Sequence, residues 1–283
     1  MKIRLLQLDG KMPNIALMKL STYHKLKGDQ VDWYNPLFDF ADTEIVYVSK
    51  IFNFTPDYLY YPNAKIIKGG TGFDIHIKLP QEIEDIIDLD YSLYPDCEYS
   101  MQLYTRGCPN NCSFCVVPEK EGKLRPTIPY KLNPRSKWIE VLDNNFFASP
   151  KWKESVIDLI NTKLPINLHG VQLETISEEK AKYINQLKLH KTIKIAWDDP
   201  KHDPREKIKQ ITKWIKPYKL MCYVLIGFDS TPEEDLYRVE ELRKLKIDPF
   251  VMPFNKKDRY QKRFARWCNH KAIYRTVKWS EYI

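Results

Sequence analysis

No run of about 18 apolar residues occurs anywhere in the chain, so no segment reads as a membrane-spanning helix. Glycine is scarce, nine in 283 residues, which argues against long flexible or low-complexity regions. Residues 1–96 hold no cysteine at all. The N-terminal residues 1–9 lack the apolar core and cleavage site of a secretory signal and read instead as a first β-strand. Aromatic residues, by contrast, are plentiful: 18 Tyr, 12 Phe and 7 Trp supply ample core material at a hydrophobic content of 43%. Lysine and arginine total 45 against 37 acids, and a net charge of +8 can attract polyanions.

The first 95 residues alternate strand and helix signals. Strands are expected at 3–8, 31–34, 44–48 and 64–67, with a helix at 14–27 ending before Gly28. Such alternation implies a parallel sheet with flanking helices. The cluster Gly69-Gly70-Thr71-Gly72 reads as a tight turn after a strand or as a place where a cofactor nears the backbone. Residues 79–95, rich in acids and tyrosine, read as a linker. Six further strands are expected at 99–105, 138–143, 166–172, 193–198, 220–227 and 249–254. Helices at 152–162, 178–187, 205–215 and 233–245 fall between them.

Three of the six cysteines, Cys108, Cys112 and Cys115, sit in one short loop, Arg106-Gly-Cys-Pro-Asn-Asn-Cys-Ser-Phe-Cys115. Thiolates so close repel one another unless a cation or cluster absorbs their charge. A structural zinc or a fully protein-held cubane takes four ligands, whereas three cysteines on a [4Fe-4S] cube leave one iron open. The zinc alternative needs a fourth donor such as Cys97 or His169, and no second Cys-x2-Cys pair exists. Two basic stretches stand out. Residues 207–219 read as an amphipathic helix with a solvated lysine face. Residues 255–267 interleave cations with aromatics as nucleic-acid grooves do, which keeps a nucleic-acid partner open.

The Cys-x3-Cys-x2-Cys spacing, with Phe114 before the last cysteine, resembles the signature of the radical S-adenosylmethionine (radical SAM) superfamily. The resemblance implies an α/β fold: a partial (β/α)6 TIM-type barrel over 96–283, preceded by a small Rossmann-like, cobalamin-binding-like domain over 1–95. The Asp-x-His-x-x-Gly pattern of a cobalt-ligating histidine is absent, Asp74-Ile-His76 being the nearest approach, so no bound cobalamin is expected. The cofactors implied are a [4Fe-4S] cluster on Cys108, Cys112 and Cys115 and SAM on the open iron. The activity implied is reductive cleavage of SAM to a 5′-deoxyadenosyl radical that takes hydrogen from a substrate. A flavodoxin- or ferredoxin-type reductant is implied as partner, with Arg106, Lys120, Lys123 and Arg125 as candidate contacts. A reducing, cytoplasmic setting is expected.

Barrels of this kind place reactive groups at the C-terminal ends of strands. Asp143 and Asn144 match the position that binds the SAM amino group, although an Asp-Asn-Asn turn has the same composition. His169, Gln172 and Glu174 match the region that contacts ribose and carboxylate; His169 alone reads equally as a packed, hydrogen-bonded histidine. Trp197, Asp198 and Asp199 are expected at the mouth, or as a helix cap. Ile226 and Gly227 are expected against adenine, and Met252 and Asn255 toward substrate. The cysteine loop is also similar to that of tRNA methylthiotransferases. Those enzymes carry three further N-terminal cysteines, and this chain has none there. A metal-stabilised nucleic-acid-binding protein is the alternative from another class.

Overall fold

The computed structural model describes residues 1–282. It divides into two compact units, Met1–Ser100 with Ile128–Ser136, and Met101–Thr127 with Lys137–Ile283.

In the first unit, β1 (Lys2–Gln7) is followed by α1 (Ile15–Leu26), β2 (Gln30–Trp33), β3 (Ile45–Ser49) and β4 (Lys65–Gly69). The strands form one parallel sheet in the order β2-β1-β3-β4. Alternation builds it: Ile3 and Leu5 are fully buried, as are Val46 and Val48 on the neighbouring strand. Asn14 caps α1 by accepting a hydrogen bond from the Leu17 amide at 3.2 Å. The glycine cluster serves close backbone contact. A Cβ on Gly70, at φ +96°, would stand 2.4 Å from the Lys50 carbonyl oxygen, so the turn after β4 can press on the end of β3 only without a side chain.

Residues 79–95 are not a linker. They include the short α2 (Gln81–Glu84) and bury Ile83, Leu89, Tyr91 and Leu93 in the first unit. Ser21 donates to Asp90 at 2.5 Å, and Trp33 donates to the Leu93 carbonyl at 3.0 Å. Sparse apolar residues spaced through an acidic stretch hide this packing from periodicity. The chain also returns to the first unit at 128–136, where the sequence reading passed once from 95 to 96. The Lys131 amide donates to the Ile87 carbonyl, and Asn133 Nδ2 to the Cys97 carbonyl at 2.8 Å.

The second unit begins within β5 (Tyr99–Gln102). A two-stranded ladder of β6 (Thr105–Arg106) and β7 (Arg125–Pro126) closes the cysteine loop, which contains α3 (Val117–Glu121). Then follow β8 (Trp138–Val141), α4 (Trp152–Asn161), β9 (Ile166–Leu168), α5 (Glu178–Gln186), β10 (Ile193–Ala196), α6 (Arg205–Thr212), β11 (Leu220–Ile226), α7 (Pro232–Lys244), β12 (Asp248–Pro253), α8 (Arg259–Asn269) and α9 (Lys271–Thr276). The sheets run β5-β8-β9 and β10-β11-β12, and an isolated bridge pairs Ile166 of β9 with Leu189 in the loop ahead of β10. Six strands thus follow in chain order, interleaved with helices, as a partial barrel of α/β class.

Every second strand residue faces the helices. Ile139, Val141, Ile166, Leu168, Ile193, Ile195, Cys222 and Val224 share one apolar core with Val156, Ile184, Ile208, Val239 and Trp267 of the helices. The intervening residues carry the polar chemistry. α7 is fixed at its start by a capping box, in which Thr231 and Glu234 bond reciprocally to each other's backbone amides.

Candidate functional site

The cysteine loop is pinned at both ends and left open in the middle. Thr127 donates through its amide and its hydroxyl to the Tyr104 and Leu103 carbonyls, at 2.9 and 2.6 Å. Glu121 is the clamp: one carboxylate oxygen accepts from the Gly107 amide at 2.8 Å and from Asn144 Nδ2 at 2.9 Å. Arg106 pairs with the same carboxylate at 3.6 Å. The cysteines themselves are free thiols, with Cys112 exposed and Cys108 and Cys115 half-buried. Two hydrogen-bond donors face their sulfurs, the Val117 amide toward Cys115 at 3.5 Å and Asn145 Nδ2 toward Cys108 at 3.9 Å.

The electrostatics of the loop match its composition. Burial pushes the Cys112 thiol up, and the neighbouring Cys115, Cys108 and Asp198 raise it further. Three cysteine sulfurs and a carboxylate thus share one region, and ionising the sulfurs together is costly unless a cationic iron–sulfur core takes up their charge. Among the described residues no three His, Cys, Asp or Glu side chains converge closely enough to hold a single metal ion. A cube distributes its ligands over separate corners, so it does not need such convergence.

The strand ends differ from their sequence reading in instructive ways. Asp143 is buried and fully engaged, accepting from the Tyr104 amide at 3.1 Å and Thr105 Oγ1 at 2.6 Å. Burial nevertheless lifts its carboxyl to about 6. It ties the end of β8 to the start of the cysteine loop, so its carboxylate is taken up by structure. Asn144 belongs to the Glu121 clamp. The neighbouring Asn145, which sequence reasoning missed, is 1% exposed and donates to Gln172 at 2.6 Å, while its Oδ1 is buried without a partner. Gln172 is thus brought to the cysteine loop through Asn145. Glu174 lies apart, exposed and paired with His202 at 3.2 Å.

His169 belongs to a polar chain on the inner strand face. Its Nε2 lies 2.8 Å from a Glu140 carboxylate oxygen that also accepts from Asn167 Nδ2 at 2.6 Å; Asn167 Oδ1 in turn accepts from Lys194. Burial pushes Glu140 up, but hydrogen bonds from His169, Trp138 and Asn167 outweigh it and hold the carboxyl at about 2. An ionised Glu140 accepts from His169 Nε2, which also lies 3.1 Å from Asn167 Nδ2. Burial lowers Lys194 to about 8, although Glu140 opposes the shift. Residues 140, 167, 169 and 194 are alternate positions of three adjoining strands. Period-two alternation was the signal that could have found them.

Trp197 and Ile226 turn away from the site expected of them. Both are buried in the helix-facing core, Trp197 with its ring against Tyr237. Strand alternation decides this, because each shares its face with the apolar residues that contact the helices. Asp198 is directed inward instead, accepting from the Leu225 amide at 3.0 Å, with its carboxyl raised by burial. The Gly227 amide donates to Ser230 at 3.0 Å, and Gln261 occupies the space beside it. Phe114 is half-exposed in the cysteine loop with its ring 5.6 Å from that of Phe228. In residues 255–267 Phe264 and Trp267 are fully buried, and Tyr260 is half-buried with its hydroxyl donating to Asp235 at 3.1 Å.

No protein-family model matches the chain, and no curated protein does. Solved structures do. The radical S-adenosylmethionine methyltransferase TsrM from Kitasatospora setae, with cobalamin and a [4Fe-4S] cluster bound, aligns at a TM-score of 0.67 and 14% identity, over 89% of this chain and 75% of that one. The same enzyme with tryptophan substrate and the SAM analogue aza-SAM bound aligns at 0.65 and 12%, over 88% and 72%. At such identity the likeness is one of fold: this chain shares the fold of that structure, from its Rossmann-like sheet to its partial barrel.

Proposed function

We propose that the chain is a radical SAM enzyme that holds a [4Fe-4S] cluster on Cys108, Cys112 and Cys115. The observation that carries the reading is the loop itself: three free cysteines, closed into one segment by the β6–β7 ladder, with amide donors aimed at two of the sulfurs. When bound, the cluster and SAM supply a 5′-deoxyadenosyl radical able to take hydrogen from an unactivated C–H. The chain's own residues bind, orient and exclude. Glu121 and Asp143 fix the two ends of the loop against β8. Asn145 and Gln172 place amide groups beside Cys108, and hydrogen bonds to cluster sulfurs tune a cluster's potential. His169, oriented through Nε2 by Glu140, offers a polar group to a substrate on the inner face of the strands.

Anaerobic reconstitution with iron and sulfide, followed by assay for 5′-deoxyadenosine, tests the reading. Cys112→Ala is expected to abolish SAM cleavage while leaving the circular dichroism spectrum intact. Undiminished cleavage by that variant ends the cluster assignment. A second reading, methyl transfer, is favoured by the methyltransferase whose fold this chain shares. S-adenosylhomocysteine accumulating in place of 5′-deoxyadenosine identifies it. A metal-stabilised nucleic-acid-binding protein is disfavoured by the burial of Phe264 and Trp267, two of the three rings of 255–267.

A further inference from the structure

The solvent face of α8 is unusual in this molecule. Arg259, Lys262, Arg263 and Arg266 fall at i, i+3, i+4 and i+7, one stripe of the helix, and all four are exposed. Lys256 and Lys257 extend the stripe into the loop ahead of the helix. The one acid between residues 255 and 271 is Asp258, and its carboxylate caps the helix by accepting from the Gln261 amide at 2.8 Å. Arg263 leans on the Trp279 ring at 5.1 Å. Among the described residues Lys256, Lys257, Arg259, Lys262 and Arg266 have no ion-pair partner. Several exposed cations on other helices are matched: Lys182 with Glu178, Lys153 with Glu179, Lys244 with Glu241, Lys271 and Arg275 with Asp248.

A second observation gives the stripe a direction. Phe254, 55% exposed, closes β12 just ahead of this cationic segment. Its ring lies 4.9 Å from that of Phe228, which lies 5.6 Å from Phe114 in the cysteine loop. A continuous path of three rings therefore runs from the foot of the α8 stripe to the segment between Cys112 and Cys115. Of the basic residues near the cysteines, Arg106 and Arg125 are both bound to Glu121, which leaves Lys123 exposed there.

We propose that the cationic face of α8, with Lys256 and Lys257, is the docking surface for an acidic one-electron donor protein of the flavodoxin class. The proposal rests on the cluster reading above. One electron leaves the donor's cofactor, which is oxidised by one equivalent, and the cluster is reduced by one; no bond or proton changes hands. Charge complementarity selects an acidic partner and raises the rate of encounter. A polynucleotide is the other polyanion that such a stripe attracts. Phe264 and Trp267 of α8 are fully buried, so the helix's own rings do not stack on bases, and tRNA binding is measured as the competing outcome.

The test uses the reconstituted full chain, wild type and the triple variant Arg259→Glu, Lys262→Glu, Arg266→Glu. These side chains are exposed, and circular dichroism checks that the variant folds. Iron and sulfide content, measured before any reductant is added, reports separately on the cluster reading. Binding of oxidised flavodoxin by calorimetry reads the surface whether or not a cluster assembles. The expected result is wild-type binding that weakens with salt and is lost in the variant, with cluster bleaching by reduced flavodoxin slowed about tenfold or more. Dithionite, which needs no docking, should reduce both proteins alike. Equal flavodoxin binding and equal bleaching in the two proteins overturn the proposal. So does a variant that loses affinity for bulk tRNA while its flavodoxin binding is unchanged.

Discussion

Single side chains in this molecule are assigned by which strand face they occupy. Glu140 sits on the inner face of β8 and is held ionised by three donors. Its carboxyl lies below the ordinary value, so the stability it contributes is fully present above about pH 4.5. That contribution is lost as pH falls toward about 2. Glu140→Gln, which removes the charge and leaves Lys194 facing a neutral chain, should cost about 3 kcal/mol at pH 7. Urea denaturation of both proteins between pH 7 and pH 2 checks this: the difference should shrink below pH 4.5, and a constant gap would contradict the assignment. Asp143 shows the limit of reading by position. Its place at the end of β8 was legible, but its hydrogen bonds to Tyr104 and Thr105 come from residues 38 and 39 positions away, beyond any local pattern.

At the scale of elements, the expected strands and helices largely coincide with the observed ones. Long apolar–polar alternation is a local property, and the chain obeys it. The expected strand 166–172 falls furthest short, ending at Leu168. The reason is Gly170, at φ +58°, whose carbonyl accepts from the Phe146 amide at 2.9 Å; a Cβ there would lie 1.9 Å from the Asp143 carbonyl oxygen. The backbone after β9 thus folds onto the backbone after β8, and that contact sets Asn145 beside Gln172. Gly170→Ala should destabilise the protein by about 3 kcal/mol or more, since both the backbone conformation and the contact are lost. A thermal shift of only a degree or two would show that the two loops adjust freely.

The molecule as a whole joins a Rossmann-like unit to a partial barrel, and the fold of the first unit does not by itself name a ligand. TsrM carries cobalamin, whereas this chain lacks the Asp-x-His-x-x-Gly pattern; His76 lies exposed after β4, its amide bonded to Asp74 at 2.8 Å. We expect purified protein mixed with hydroxocobalamin and passed through a desalting column to emerge without corrin absorbance. Stoichiometric retention of the corrin would reverse that view.

What the amino-acid order alone determined is whatever depends on near neighbours. That includes the cysteine spacing, the alternation that makes each strand, the helices between them and the α/β class. Tertiary structure decided which polar groups meet. It joined Glu140, Asn167 and Lys194 across three strands, turned Trp197 into the core, returned residues 128–136 to the first unit, and set Phe114, Phe228 and Phe254 in one row. The physical reason is that strand periodicity gives each residue a side but no partner. Partners are set by register and by loop closure between segments distant in sequence, where packing of the whole core selects among many locally equivalent choices.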